Sequence, residues 1–207
     1  AYYNTTSQQR NRLIGDIHLD AKLADGLNFR FRTAVDYYND RRKYKIRYGT
    51  NGTPFGSYAE DLYTVNEQNT EGIFTYTKKI NDDFSVDALA GFNIRNHSDA
   101  NNYQKSLRLA VPDLYTLTNS RDPLVSSNTL SRLRVYSAYA SAQFGYKNYA
   151  YLNVTARNDW SSTLPSSNRS YFYPSFNGSF VVSDAFNLKS NTLDFLKLRG
   201  GWSEVGN

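Results

Sequence analysis

Two neighbouring stretches of this sequence have apolar residues at alternate positions, each over about eleven positions. The apolar positions of both stretches are Leu13, Gly15, Ile17, Leu19, Ala21, Leu23, Leu27, Phe29, Phe31, Thr33, Val35 and Tyr37. A period of two places these residues on one face of a β-strand, and no helix accommodates it. The residues Ala24, Asp25 and Gly26 lie between the stretches and predict a tight turn. The chain therefore contains a long amphipathic hairpin.

The same pattern recurs and predicts four hairpins, at about residues 10–38, 70–95, 131–159 and 171–204. Strands of ten or more residues exceed the usual length in soluble proteins and suit tilted strands that cross a bilayer. One strand has no clear facing, because Leu133 and Val135 have one parity and Ala138, Ala140 and Ala142 have the other. The prediction is thus an all-β, antiparallel, up-and-down transmembrane β-barrel segment of about eight strands.

The connections differ in length on the two sides of the hairpins. Turns within hairpins are short, whereas the segments between them, at about residues 39–69, 96–130 and 160–170, are long and polar. Short turns on one side and long extracellular loops on the other are typical of outer-membrane barrels. Aromatic residues near the inferred strand ends predict the girdles that meet lipid head groups: Tyr37, Tyr38, Tyr76, Tyr146, Tyr149, Tyr151, Phe172 and Tyr173.

Composition excludes several classes of protein. Cysteine is absent, which rules out disulfides and Cys-based metal sites. The net charge of +5 invites a nucleic-acid interpretation, but the cations form only one run, at residues 41–47, and no binding motif accompanies it. No apolar stretch has the length of a membrane helix, so any span is built from strands. Methionine is also absent, and the chain is expected to be a mature form or a fragment.

Motifs of catalysis are missing from the sequence. It has no G-x-S-x-G elbow, no H-E-x-x-H helix, no P-loop and no dinucleotide fingerprint. The two histidines, His18 and His97, lie far apart, the first on a polar strand face and the second in a predicted loop. We therefore expect no enzyme activity, no cofactor and no metal.

A resemblance begins at the third hairpin. Residues 149–162 read YAYLNVTARNDWSS, residues 173–176 read YPSF, and residues 196–207 read LKLRGGWSEVGN. This ordered set resembles the SusC/RagA-like family of TonB-dependent outer-membrane transporters, which has an R-x-D-x-S-S strand end, a Y-F-P-S strand start and an L-R strand ending in G-N. The matching positions are Arg157, Asp159, Ser161, Ser162, Tyr173, Pro174, Ser175, Leu198, Arg199, Gly206 and Asn207.

The resemblance implies a specific whole protein. A member of this family carries a 22-stranded barrel, a plug and an N-terminal domain, and residues 1–207 match only part of the barrel domain, with no recognisable plug. It imports oligosaccharides, peptides or other nutrients across the outer membrane of a Gram-negative, Bacteroidetes-like cell. Its implied partners are a SusD-like surface lipoprotein as lid, the TonB complex, outer-membrane lipid and the glycan or peptide substrate, with no nucleic acid.

Two alternatives remain open at the level of the sequence. The first is a self-contained eight-stranded outer-membrane barrel with a structural or adhesive role. The second is a soluble, glycan-binding β-sandwich in which exposed aromatic rings stack on sugars. An arc of a larger barrel predicts unpaired outer edges on the strands near Leu13 and Leu198, because closure would pair them.

The facing and the ligand contacts can also be predicted. Charged side chains are costly on the lipid face of a barrel, so Asp16, Arg30, Arg32, Asp87 and Arg157 should face the lumen. The residues expected to face lipid are Ile17, Leu19, Phe29, Phe31, Val86, Ala88, Leu152 and Val154. Substrate or lid contacts are expected from aromatic residues in the long loops, namely Tyr58, Tyr63, Tyr103, Tyr115 and Trp160.

Overall fold

A computed structural model describes residues 4–165, 169–188 and 193–205. It contains eight strands and one short helix: β1 (Thr5–Ala24), β2 (Leu27–Ile46), β3 (Ser57–Lys79), β4 (Phe84–Ser106), β5 (Val125–Tyr146), β6 (Ala150–Ser161), β7 (Ser170–Val181), α1 (Val182–Ala185) and β8 (Lys197–Ser203). Among the described residues, no helix combines the length and the apolar character needed to cross a membrane.

All eight strands form one sheet in the order of the chain, from β1 to β8. The strands from β5 to β8 pair antiparallel with their neighbours, and β1 and β8 are the two edges of the sheet. The predicted up-and-down arc with open edges is therefore confirmed. A closed eight-stranded barrel would pair β1 with β8, and a sandwich would need a second sheet, so neither fits this strand order.

The strands are longer than the sequence pattern predicts. The strands β1 to β5 have 20 to 23 residues each, and the loops shrink to residues 47–56 and 107–124. The predicted loops at 39–69 and 96–130 were therefore too wide. Alternation reports a contrast between apolar and polar surroundings, and it disappears where both faces are polar, although the hydrogen-bonded ladder continues.

The sheet has an apolar face and a charged face. Cross-strand contacts connect the apolar face: the rings of Phe29 and Phe74 are 4.6 Å apart, and a Cβ at Gly72 would touch the rings of Phe92 and Phe29. The charged face is connected by pairs such as Arg30–Asp20 at 2.6 Å. The residues predicted to face lipid and the charged residues predicted to face the lumen thus lie on opposite faces of the sheet.

The uncertain facing in β5 is decided by its pairing with β6. Ala140 lies opposite Ala156 and Ala142 lies opposite Val154, so the three alanines of β5 belong to the apolar face. Leu133 and Val135 therefore share the face of Tyr139, which lies opposite Arg157.

The apolar face is not covered within the described chain. Ile17 is 75 % exposed, Leu19 63 % and Leu152 48 %. The buried hydrophobic residues of the described chain are Tyr58, Ala59, Leu109 and Val181, which do not form a core beneath the sheet. A soluble protein of this size buries most of its large apolar side chains, whereas a barrel wall exposes one apolar face to lipid.

The short turns have the backbone that tight hairpins require. Gly26 has φ +75°, and its carbonyl accepts a hydrogen bond from the Thr77 amide at 2.9 Å. Lys147 and Asn148 both have positive φ, as in a type I′ turn, which favours Asn. These turns hold adjacent strands in register.

Aromatic rings form a continuous chain of contacts near these turns. Phe84, Tyr146, Tyr149, Phe180 and Phe186 follow one another with ring centroids 4.8 to 6.2 Å apart. This row matches a girdle at a membrane interface. Not every predicted girdle residue belongs there: Tyr38, Tyr151 and Tyr173 have the parity of the charged face.

The chain forms two compact units. The first unit comprises residues 1–15, 34–68 and 96–133 and contains the long loops at 47–56 and 107–124. The second unit comprises residues 16–33, 69–95 and 134–207 and contains the short turns.

Candidate functional site

In the first unit, the charged face carries a dense ion-pair network between β1 and β2. Arg10 and Arg42 both donate to the Asp40 carboxylate, at 2.6 and 3.2 Å, and Gln8 donates to it at 2.5 Å. The Asp40 residue is 0 % exposed because these donors cover it. Hydrogen bonds from Arg42 and then Arg10 lower the pKa of Asp40 to about 2. Asp40 therefore stays ionised and organises the cations around it.

The Tyr38 ring lies beneath the same network. The guanidinium of Arg10 is 5.0 Å from its centroid and that of Arg12 is 6.0 Å away. Arg12 also forms a two-pronged ion pair with Asp36, at 2.8 and 2.5 Å. The network was not predicted from the sequence, although the shared parity of these charges in two paired strands was a signal that could have indicated it.

Between β3 and β4 the charged face changes to acids, amides and tyrosines. His97 Nδ1 lies 2.6 Å from the Glu67 carboxylate, and Tyr63 donates to Asp99 at 3.4 Å. Asn101 donates to Asp61 at 2.5 Å. His97 belongs to β4 and does not lie in a loop as predicted. The arrangement presents hydrogen-bonding groups and aromatic rings to whatever contacts this face.

The five predicted contact residues fall into three places. Tyr63 and Tyr103 lie on the charged face of the first unit, in β3 and β4. Burial, and then the charge of Asp61, raises the pKa of Tyr103. The loop prediction was wrong for both residues, because the ladder continues through polar sequence.

Tyr58 and Tyr115 lie elsewhere in the first unit. Tyr58 has the opposite parity to Tyr63 in β3, is 2 % exposed and donates to Glu60 at 2.6 Å. Its ring is 6.3 Å from that of Tyr115, in the loop 107–124, so that loop covers Tyr58. Burial raises the pKa of both hydroxyls. Tyr58 was predicted in a loop but belongs to β3. The rings of Tyr58 and Tyr115 pack the loop 107–124 against the sheet.

Trp160 belongs to the second unit and to β6, which also corrects its loop prediction. It lies opposite Tyr136 on the apolar parity and is 41 % exposed. The structure therefore places it at the end of the apolar face rather than with Tyr63 and Tyr103.

The loop 107–124 is held by a compact set of contacts. Leu109 is fully buried, and its amide donates to the Phe55 carbonyl at 3.2 Å. Arg108 and Arg121 approach the Phe55 ring at 5.8 and 4.6 Å. The ion pair with Asp122 raises the pKa of Arg108 and lowers that of Asp122. These contacts join the loop 107–124 to Phe55 and make it a compact loop.

Six of the family-motif residues have the parity of the charged face in the second unit: Arg157, Asp159, Ser161, Tyr173, Ser175 and Arg199. Arg157 donates to Asp159 at 2.8 Å and to Ser137 at 3.1 Å. Arg157 lies between Tyr139 and Tyr173 in register. Next to this row lie a hydroxyl row, Ser141, Thr155, Ser175 and Ser203, and an amide row, Gln143, Asn153 and Asn177.

The other motif positions shape the strand ends. Ser162 exchanges hydrogen bonds with the backbone of Arg134, at 2.9 Å each way. Pro174 lies one residue beyond the last β7–β8 pair, where its missing N–H leaves no gap in the ladder. Leu198 lies on the apolar parity and Arg199 on the charged one. Gly206 and Asn207 lie outside the described residues.

No group of three or more His, Cys, Asp or Glu side chains within the described ranges could hold a metal ion. His18 lies 3.7 Å from Asp16 and 3.8 Å from Asp20, both on the charged face of the second unit. The arrangement offers ion pairs, amides, hydroxyls and aromatic rings, which suit binding along a wall.

Comparison with known proteins agrees with this geometry. The chain is 26 % identical over 201 residues to the TonB-dependent receptor P39 of Formosa agariphila, a match that covers 92 % of this chain and 19 % of that protein. The chain thus spans about a fifth of the length of that curated relative. No family model matches the sequence.

Solved structures of the RagAB peptide transporter share the fold. One superposes with a TM-score of 0.91 at 20 % identity, covering 97 % of this chain and 23 % of the other. RagAB in the closed-closed and open-open states superposes with TM-scores of 0.90 and 0.88. The predicted resemblance to SusC/RagA-like TonB-dependent transporters, and the prediction of an arc out of a larger barrel, are confirmed. These relatives carry the names of receptors and transporters, and none carries the name of an enzyme.

Proposed function

We propose that residues 1–207 form part of the barrel domain of an outer-membrane, TonB-dependent importer of oligosaccharides or peptides. The observation that carries this proposal is the open sheet with one exposed apolar face and one charged face. The apolar face meets lipid, and the charged face lines the lumen. This sheet serves as wall, and its long loops reach the outside of the cell.

The length of the apolar runs supports this orientation. On the apolar parity they extend over eleven residues in each of three strands, at 13–23 in β1, 27–37 in β2 and 84–94 in β4. A strand tilted by about 45° crosses the hydrocarbon in about 9–11 residues. The rest of each strand continues beyond the membrane, toward the long loops.

The partners are proposed by analogy with the same relatives. RagAB is a two-component peptide transporter by name, and we propose a SusD-like surface lipoprotein as the corresponding lid of this protein. The energy for import comes from the TonB complex, through parts of the protein outside this chain. Substrate contacts come from the charged face of the first unit, where Tyr63 and Tyr103 lie among carboxylates and amides.

Uptake measurements with three variants of the full-length protein test this assignment. Substituting Tyr63 and Tyr103 with alanine should lower uptake of labelled oligosaccharides or peptides without loss of barrel assembly, because it removes stacking surface from the lumen. W160A removes a ring of the apolar face and is the matched control, with uptake expected to be unchanged. Y58A should instead loosen the loop 107–124 and weaken binding of the lid lipoprotein.

Two results would contradict the proposal. Unchanged uptake in the Y63A/Y103A variant would remove the first unit from the substrate path. Recovery of the wild-type protein in the soluble fraction, and not in outer membranes, would overturn the membrane assignment itself.

A further inference from the structure

In β2, the residues that follow the apolar run at the same parity form a column of cations. Val35 and Tyr37 end the run, and after Asn39 come Arg41, Lys43 and Lys45. Alternate residues of a strand project from one side, so these cations project from the side that faces lipid farther down the strand. They do not face the lumen with Asp36 and Asp40.

On this side of the sheet, positive charges outnumber negative charges. On the apolar parity of the first unit, strands β1 to β5 carry four cations, Arg41, Lys43, Lys45 and Arg132, and one acid, Glu60. The hydroxyl of Tyr58 already donates to Glu60, at 2.6 Å. On the charged face, by contrast, Asp36 and Asp40 are matched by Arg10, Arg12 and Arg42. The cations of the outward side therefore lack comparable partners.

Of the three cations of this column in β2, two are available to a ligand. Lys45 lies 5.3 Å from the Tyr115 ring, and Arg47 lies 4.0 Å from Asp113, so the loop 107–124 engages both. Arg41 and Lys43 form no ion pair with any residue that the structure describes. Asn39 beneath them accepts a hydrogen bond from Asn11 at 3.3 Å.

The height of the pair above the apolar run fits a lipid head group. At about 3.4 Å per residue and a tilt near 40°, Arg41 lies roughly 10 Å and Lys43 roughly 15 Å above Tyr37. Their long side chains can bend toward the interface. Phosphate groups of an outer-leaflet glycolipid lie just above the hydrocarbon, and Arg and Lys bind phosphate with charge-assisted hydrogen bonds.

We infer that Arg41 and Lys43 form a binding site on the outer wall of the barrel for the phosphate of an outer-leaflet glycolipid. The inference rests on the proposed membrane function. Arg41 supplies a planar fork that can donate twice to one phosphate, and Lys43 supplies a second charge one pleat higher. In β5, Arg132 and Arg134 have the same parity as Tyr136, and Arg134 donates to the Tyr136 hydroxyl at 3.4 Å.

The test uses the full-length protein in nanodiscs that contain either a bisphosphorylated lipid A or the same lipid without phosphate. Bound lipid is counted by native mass spectrometry. The variant R41Q/K43Q removes both charges, and K78Q/K79Q removes two exposed lysines at the opposite end of β3 as a matched control. Heat-modifiable mobility on gels checks that each variant is a folded barrel, and an uptake assay reports on the proposed function separately.

We expect the wild-type protein and K78Q/K79Q to prefer the phosphorylated lipid, and R41Q/K43Q to bind it about 30-fold more weakly, with uptake unchanged. Equal binding of the two lipids by the wild type, or a preference kept in R41Q/K43Q, would overturn the site. Loss of the preference on addition of inorganic phosphate would also overturn it, because the site would then select an anion and not a lipid. Absence of uptake with an intact lipid preference would refute the import function alone.

Discussion

The two units of this chain contain different parts of the same strands, and the side chains of those parts differ in character. The second unit holds the short turns, the ring chain from Phe84 to Phe186 and an exposed apolar face. The first unit holds the long loops and a network centred on the covered Asp40 carboxylate. A β-ladder satisfies its own backbone groups, so one strand can pass from hydrocarbon to water while only its side chains change. Substitutions that are severe in one unit should therefore be mild in the other.

The largest difference in stability between the two units is expected when a charge is added to the apolar parity of a strand. A140R places a cation near the middle of the apolar run of β5 and should destabilise the barrel by about 2–4 kcal/mol if that face meets lipid. S98R adds the same side chain on the apolar parity of β4 in the first unit and should have little effect. Urea titrations of the full-length protein in liposomes measure both. Equal costs would show that the apolar face does not meet hydrocarbon.

A second contrast compares two glycines with similar backbones. Gly26 and Gly52 have φ of +75° and +78°, so alanine at either site pays roughly 1–2 kcal/mol for the left-handed conformation. A Cβ at Gly26 would lie 2.3 Å from the Thr77 carbonyl oxygen, whereas nothing lies within 4 Å at Gly52. G26A should therefore cost about 1–3 kcal/mol more than G52A. The same titrations check the order, and a greater loss in G52A would contradict it.

The third prediction concerns the pH dependence of the stability that Asp40 provides in the first unit. The pKa of Asp40 is lowered to about 2 from its usual value of 3.8, so its ionisation stabilises the folded state fully above about pH 4. That contribution is lost as the pH falls toward 2, because the proton then binds the folded state as well. The melting temperature of D40N should therefore lie below that of the wild type at pH 6 and approach it near pH 2. A gap that does not depend on pH would show that Asp40 acts through packing alone.

The smallest effect is expected at the exposed turn of the second unit. Lys22 lies 3.4 Å from Asp25, and both side chains are well exposed. Exposed pairs of this kind contribute little because water and salt screen them. K22Q should leave the melting temperature unchanged within error at 150 mM salt. A clear loss would mean that this turn is covered in the full-length protein.

The sequence by itself determined the strands near the short turns and the two faces. Between Leu13 and Tyr37 apolar residues recur at almost every second position outside the turn, and this period indicates a strand whose two faces have different surroundings. Gly26 marked one turn and Asn148 another, because both tolerate positive φ. The ordered motifs from Arg157 to Arg199 were enough to indicate the family that the comparisons then supported.

The tertiary structure decided what local pattern could not. Residues 39–46 and 57–69 are strand although they do not alternate in hydrophobicity, because cross-strand pairing holds them where both faces are polar. Asp40 forms an ion pair with Arg10 of β1, and Asp61 accepts a hydrogen bond from Asn101 of β4. The facing of Ala140 came from its partner Ala156. Strand pairing also separated two of the predicted tyrosines. Tyr58 and Tyr63 are close in sequence, but they have opposite parity in β3, so Tyr58 lies under a loop and Tyr63 lies on the charged face. Only the pairing of β3 with its neighbours fixes which parity faces which side.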